Sequence, residues 1–338
     1  MNNSTVIGID LAKSVFQVGV MTNGKLTSNK QVKRARLHSM MANHPPSIIA
    51  MEACYSSHYW AREFQALGHK VKLIPAQHVK PFTRGNKTDA NDAVAIIEAS
   101  GRPNLRCVPI KTTHQQDIQS LHRIRERLIG NRTGLTNQTR GLLAEYGIVA
   151  RKGKKGFMLA VQTGLNDDKL SEIVRTELHF ALDELEQTSE HIAQIEARLR
   201  AYIDQNEDCQ ILHSMPGIGV INATALVCKY GNGSQFSKAS SLPVSLGLTP
   251  KLSSSGTRFQ MMGISKRGDP YLRKQLIHGA RALLMICDKR PDDALCRWAS
   301  RIKKRRGDNI AVVAVANRLA RLAWVLLQKR EMYRASPV

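Results

Sequence analysis

The sequence has 338 residues, 42% of them hydrophobic, and its 50 Lys and Arg outnumber 27 Asp and Glu for a net charge of +23. That apolar fraction supplies a core and excludes wholesale disorder, and the length suits roughly two domains of about 100–200 residues each. So large a basic excess points to a polyanionic partner and away from a membrane, since no run of about 20 apolar residues is evident to span one.

Thr5-Val6-Ile7-Gly8-Ile9-Asp10 reads as a buried, β-branched strand ending in an acid, with no cleavable leader expected before it. Alternation over residues 15–21 predicts its hairpin partner, and a third strand falls near 26–32. After His44-Pro45-Pro46, residues 47–52 form another apolar strand, ending in Glu52. A helix around 59–67 and a short strand at 71–74 follow. Pro75 and Pro81 bracket a loop, and Lys87-Thr88-Asp89-Ala90-Asn91-Asp92-Ala93 opens a helix. Three antiparallel strands followed by alternating strands and helices is the order of a ribonuclease-H-like α/β domain.

From residue 118 to 143 the pattern is helical, with Leu121, Leu128, Leu135 and Leu142 seven apart. Leu178, Leu182, Leu185, Ile192 and Leu199 continue a heptad-like spacing in an acidic stretch. Two such stretches joined by the basic link 151–156 predict a helical hairpin or a dimerising coiled coil; an ordinary amphipathic pair within one subunit is the plainer alternative. Met215-Pro216-Gly217-Ile218-Gly219 then precedes a helix, where exposed N–H groups would seat a phosphate. Five of the six residues from Arg301 to Arg306 are basic, and the closing helix, 310–327, carries Arg318 and Arg321.

Charge is unevenly placed. Residues 1–110 have 14 basic and 6 acidic side chains, residues 167–203 have 4 and 9, and residues 251–338 have 20 and 6. Two basic regions flanking an acidic one favour a nucleic-acid surface over a merely solvated face. Six scattered cysteines without a CxxC pair argue against zinc and a disulfide framework, and for a reducing cytoplasm.

The first domain has only six acids, and four form a pattern: Asp10 and Glu52 end apolar strands, while Asp89 and Asp92 sit three apart at a helix start, on one face. Converging carboxylates would repel a phosphate substrate unless a cation neutralised them, and oxygen-only ligands suit Mg²⁺ or Mn²⁺. Two such ions about 4 Å apart activate a nucleophile and stabilise the leaving oxygen of a phosphodiester. Taken singly, Asp89 also reads as an N-cap, and Asp10 and Glu52 as ion-pair partners of Lys13 or Arg62.

Gly8-Ile9-Asp10, Met51-Glu52-Ala53 and the 87–93 motif resemble the D-E-D-D set of the transposases of the insertion sequence one-ten family, eleven-eleven subgroup, to which the Piv DNA invertases are related. The second half resembles that family as well, in Pro216-Gly217-Ile218-Gly219, Gly247-Leu248-Thr249-Pro250, Ser254-Ser255-Gly256, Gly263-Ile264-Ser265-Lys266-Arg267-Gly268 and Asn317-Arg318-Leu319-Ala320-Arg321. The resemblance runs from about residue 5 to 328. It implies a RuvC-like DEDD domain (1–110), a helical coiled-coil middle (111–205) and a mainly α C-terminal transposase domain with a catalytic serine (206–338). It further implies recombination of donor and target DNA guided by a non-coding bridge RNA, a tetramer using Mg²⁺, and Asp10, Glu52, Asp89 and Asp92 as metal ligands. Counted back from Gly263, the family's serine falls on Ser254; the usual second glycine is replaced by Thr257, which keeps Ser255 as the alternative.

A serine nucleophile conserves phosphodiester energy as a phosphoserine, and no histidine lies beside Ser254 in sequence to activate it. A flexible polar loop is the plainer reading of the Ser253–Ser255 run. Three functions compete: the RNA-guided recombinase, with Piv-like inversion as its variant; a metal-dependent, structure-specific nuclease needing the acids but not the serine; and a nucleic-acid-binding protein without catalysis, against which the full residue set argues.

Overall fold

Three strands, β1 (Thr5–Asp10), β2 (Val15–Thr22) and β3 (Lys25–Lys33), form an antiparallel meander in the computed structural model, which describes residues 5–335 apart from 84, 85, 87, 104, 169, 256 and 257. Lys87 of the helix-opening motif, and Gly256 and Thr257 after the serine run, thus lie outside the described residues. By internal packing the chain divides into two units, residues 1–114 and 115–338; residues 115–205 fall in the second together with 206–338.

In the first unit the meander continues through α1 (Arg34–Ala42) into β4 (Ile48–Glu52), and through α2 (Ser57–Ala66) into β5 (Lys70–Ile74). Both later strands run parallel, giving the sheet order β3-β2-β1-β4-β5. The result is a mixed α/β unit with a central sheet. Helix α1 has no counterpart in the sequence reading: its only buried residues are Leu37 and Met41, one turn apart on a basic, low-hydropathy segment, and the sheet supplies the apolar partner that the pattern does not advertise.

Strand alternation sends β1 and β4 side chains to two different layers. Ile7, Ile9, Ile49 and Met51 pack with Phe16, Leu37, Trp60 and Phe64 against α1 and α2. Gly8 and Ala50 face the opposite layer, where α4 (Asp89–Ser100) lies after the single turn α3 (Ala76–Val79).

The second unit is mostly helical: α5 (Thr113–Glu145), α6 (Gly153–Leu165), α7 (Glu172–Asp204), α8 (Glu207–His213), α9 (Val220–Tyr230), α10 (Ser241–Ser245), the hairpin β6 (Pro250–Ser255) and β7 (Arg258–Ile264), then α11 (Pro270–Ile286), α12 (Ala294–Arg306) and α13 (Asp308–Lys329). Its core centres on α9, buried from Asn222 to Cys228, against α7, α8 and α11. Helices α5 and α7 are two arms of one hairpin. At its base Ile118 and Leu128 join Ile192, Ile195 and Leu199, and Arg125 bonds Glu196 at 2.8 Å; at its tip Leu143 and Leu178 close over Phe157 and Val161 of α6.

The heptad expected along α5 does not hold to its end. Leu142 is exposed and its neighbour Leu143 is fully buried. A straight helix drifts about 20° per heptad from a seven-residue repeat, so after three heptads the buried stripe has moved by roughly one side chain.

A buried polar chain ties α5 to α9 and α11. The His122 ring bonds Tyr271 Oη through Nδ1 (2.9 Å) and Thr224 Oγ1 through Nε2 (3.0 Å). Thr224 already donates to the Val220 carbonyl, so Nε2 carries the proton and Nδ1 accepts from the tyrosine. Burial, reinforced by the Arg125 charge, pushes the His122 pKa down to about 4.

Helix α13 corrects one expectation: over 22 residues it is long and apolar enough to cross a membrane by length and composition. Here it is a core helix, burying Ala311, Val315, Leu319 and Leu327 against its neighbours and turning Arg318 and Arg321 outward.

Candidate active site

The acid motifs acquire their meaning from strand register. β1 pairs with β4 in parallel, Gly8 with Ala50 and Ile9 with Met51. One residue further, Asp10 and Glu52 stand side by side at the carboxyl ends of adjoining strands. Both are half-buried, and both belong to the even-numbered set that faces α4. The layer of Ile7, Ile9, Ile49 and Met51 lies on the other side.

Gly8 is what lets α4 approach. A Cβ there would meet the Ala93 carbonyl oxygen and Ile97 Cγ1, each at 2.5 Å, so only glycine fits beneath the helix. The first turn of α4 carries Asp89 and Asp92 and begins at Thr88, whose hydroxyl accepts from the Asn91 N–H at 3.3 Å. Thr88 is therefore the N-cap, and Asp89 is the first helical residue rather than the cap. Two acids in the first turn also complement the helix dipole.

Two residues that the sequence reading passed over fix this turn in place. Gln17 is the cross-strand partner of Asp10 and is buried. Its amide donates to Asn29 Oδ1 at 2.7 Å, and Asn29 Nδ2 donates to the Ala90 carbonyl at 3.0 Å. A lone polar side chain inside the apolar run 15–21 is the signal that could have found Gln17; Asn29 is recognisable only once β3 is placed.

The fold thus brings Asp10 and Glu52 together, and sets Asp89 and Asp92 together on the helix that covers their face. The donor set is oxygen-only and suits a hard divalent cation. Among the described residues no three His, Cys, Asp or Glu side chains already form a metal cage.

Ser254 lies in the second unit, on β6, opposite Phe259 of β7, and is exposed. Leu252 pairs with Met261 two residues away, so Leu252, Ser254, Phe259 and Met261 share one face of the hairpin. The three apolar members are all more than half exposed. At the hairpin's root, two of the sequence motifs clamp each other: Ser265 N–H donates to the Thr249 carbonyl (2.8 Å), Lys266 N–H to that of Gly247 (3.1 Å), and Arg273 to that of Leu246 (3.0 Å). Gly268, at φ +87°, has the Ser245 carbonyl where a Cβ would stand, which explains its place in that motif. In the Pro216–Gly219 turn, Gly217 packs against Gly279 of α11, a packing role beside the expected phosphate seat; Gly219 is exposed and caps α9.

Asp269 caps α11 by accepting from the Leu272 N–H, and it pairs with Lys229 at 3.0 Å. Its burial alone would raise the carboxyl pKa, but the Lys229 charge and the backbone N–H groups more than offset this and hold it below the usual range.

Sequence comparison places relatives along the whole chain. A DEDD transposase profile matches residues 7–148, and one described as "Transposase IS116/IS110/IS902 family" matches 209–295. A protein of Pseudomonas aeruginosa named "Probable family 20 transposase" is 42% identical over 98% of this chain and 99% of its own length. The transposase for insertion sequence element IS1111A of Coxiella burnetii is 40% identical over 99% and 92%. A pilin gene-inverting protein of Moraxella bovis is 21% identical over 98% of both chains.

Proposed function

The chain belongs to the IS116/IS110/IS902 family of transposases, and from that premise we propose that it exchanges strands between donor and target DNA as an RNA-guided recombinase working through a phosphoserine. The observation that carries this reading is the pairing of Asp10 and Glu52 on one face, at the ends of adjoining parallel strands, beneath the helix of Asp89 and Asp92. In this reading residues 1–110 are a RuvC-like catalytic domain, residues 111–205 serve pairing between copies in a tetramer, and residues 206–338 deliver the serine.

Ser254 Oγ attacks phosphorus, a serine–phosphate bond forms, and the 3′ oxygen departs as a hydroxyl with the proton the serine gave up. Attack by the other strand's 3′-hydroxyl reverses the step, so no phosphodiester energy is lost. Asp10, Glu52, Asp89 and Asp92 would hold Mg²⁺ or Mn²⁺, which supplies Lewis-acid stabilisation of charge on the phosphate oxygens. Gln17 and Asn29 hold the first turn of α4 in place beside the strand-end acids. A non-coding bridge RNA would delegate target sequence to base pairing, leaving the protein to bind shape and backbone.

Site-specific inversion is the second reading, favoured by the full-length likeness to the pilin gene-inverting protein. Two measurements test the proposal: sequencing RNA that co-purifies with the protein, and trapping protein-linked DNA on a nicked substrate. An RNA from the insertion element's own end and a covalent adduct are expected. Cutting without any adduct would put the hydrolytic nuclease ahead.

A further inference from the structure

At the root of the hairpin that bears Ser254 lies a groove of about 940 Å³, between β6–β7 and α12–α13, which the acid and serine chemistry leaves unused. Its floor is apolar, with Ile264 and Leu322, and its rim carries Arg306, Arg318 and Arg321; no Asp or Glu among the described residues lines it. The Arg318 guanidinium lies over the Trp298 ring, 4.5 Å from its centroid. Arg321 is oriented from below: its Nε donates to Asn317 Oδ1 (3.0 Å), and Asn317 Nδ2 donates to the Leu248 carbonyl (3.1 Å). The groove is thus tied to the hairpin's base, four residues of strand or about 13 Å from Ser254.

Three cations with no carboxylate, set around an aromatic ring and an apolar floor, complement a nucleotide: phosphates meet the Arg306 and Arg321 guanidiniums, and a base meets the flat Trp298–Arg318 stack. A second copy of this chain is a poorer fit, because with 27 acidic against 50 basic side chains it has few carboxylates to offer the guanidiniums it would bury. The volume is within the range of small-ligand sites, about 300–1,000 Å³. The geometry points to this groove as the seat of an unstacked nucleotide in the DNA strand that Ser254 attacks, its base against Trp298 and Arg318 and its phosphates on Arg306 and Arg321. This assignment rests on the reading of the chain as a recombinase that engages DNA through Ser254. It makes Trp298, Arg318 and Arg321 positioning residues that hold the strand beside the serine.

The test measures binding of a short, labelled single-stranded oligodeoxynucleotide and of the corresponding duplex by the full-length protein, over a series of salt concentrations. Trp298→Leu should weaken single-strand binding by about fivefold or more with its salt slope unchanged, the cost of one lost base stack. Arg321→Gln should weaken it and lower the slope by about 0.7, one released phosphate contact. Duplex affinity should stay within about twofold for both variants, because paired bases cannot enter the groove. Should Trp298→Leu fail to fold, the exposed Arg321→Gln decides through its slope. Single-strand binding unchanged in both variants overturns the assignment. So does a Trp298→Leu protein that changes oligomeric state but not oligonucleotide affinity, which makes the groove an interface between copies. A wild-type protein that binds neither form of DNA, with or without its co-purifying RNA, instead refutes the recombinase reading itself.

Discussion

Asp10 and Glu52 end adjoining parallel strands one residue beyond the Ile9–Met51 pair, and both project to the side of the sheet that α4 covers. Two carboxylates so placed repel each other in a half-buried setting, which is tolerable when a cation or hydrogen-bond donors compensate the charge. Asp10→Asn and Asp92→Asn are each expected to abolish strand exchange while retaining DNA binding. Mg²⁺ should raise the thermal midpoint of the wild-type protein and do so less in Asp10→Asn, because only the folded state gathers the ligands. Equal stabilisation of both proteins counts against Asp10 as a ligand.

The serine makes a separate prediction. Ser254→Ala should eliminate protein-linked DNA on a nicked substrate, and Ser255→Ala should leave it. Ser254 is exposed on β6 opposite Phe259, available to a phosphate that approaches the hairpin. An adduct that persists in Ser254→Ala and disappears in Ser255→Ala would move the nucleophile by one residue.

Gly8→Ala is expected to destabilise the protein by about 1–3 kcal/mol, the usual cost of overpacking. Its Cβ would meet a backbone oxygen, that of Ala93, which cannot swing aside without moving α4. Denaturant titration measures the loss. Strand exchange should fall further than stability does, because α4 carries Asp89 and Asp92.

His122 predicts a pH effect with a definite sign. Its folded pKa of about 4 is below the ordinary 6.5, so the unfolded chain binds the extra proton first. The contribution is complete above pH 6.5, declines as pH falls towards 4, and amounts to about 3 kcal/mol across that window. Unfolding measured between pH 7 and 4 should show a shallower pH dependence in His122→Leu than in wild type. Parallel curves would mean that the imidazole does not titrate differently on folding.

DNA affinity should fall steeply with salt, by a slope of about −0.9 for each duplex phosphate neutralised. The 20 basic side chains after residue 250 make several such contacts available. A nearly flat response between low and moderate salt would contradict a phosphate-binding surface.

Much of this protein is legible in the order of its residues. Apolar strands that stop at Asp10 and Glu52, a helix opened by Thr88 with Asp89 and Asp92 in its first turn, and the α5 and α7 helices all follow from local pattern, because propensity, capping and periodicity act over a few residues. Other features were decided by partners far away in sequence. That Asp10 and Glu52 share a face depends on the parallel register of β1 and β4, some forty residues apart, and a slip of one residue would have sent them to opposite layers. Helix α1 exists because the sheet offers Leu37 and Met41 a place to be buried. The Gln17–Asn29–Ala90 bridge, the exchange of Leu142 for Leu143 in the buried stripe, and the arginine-rimmed groove beneath the Ser254 hairpin have the same origin: each depends on which surfaces meet, and pairing between distant segments is a property of the packed chain that no short window of sequence contains.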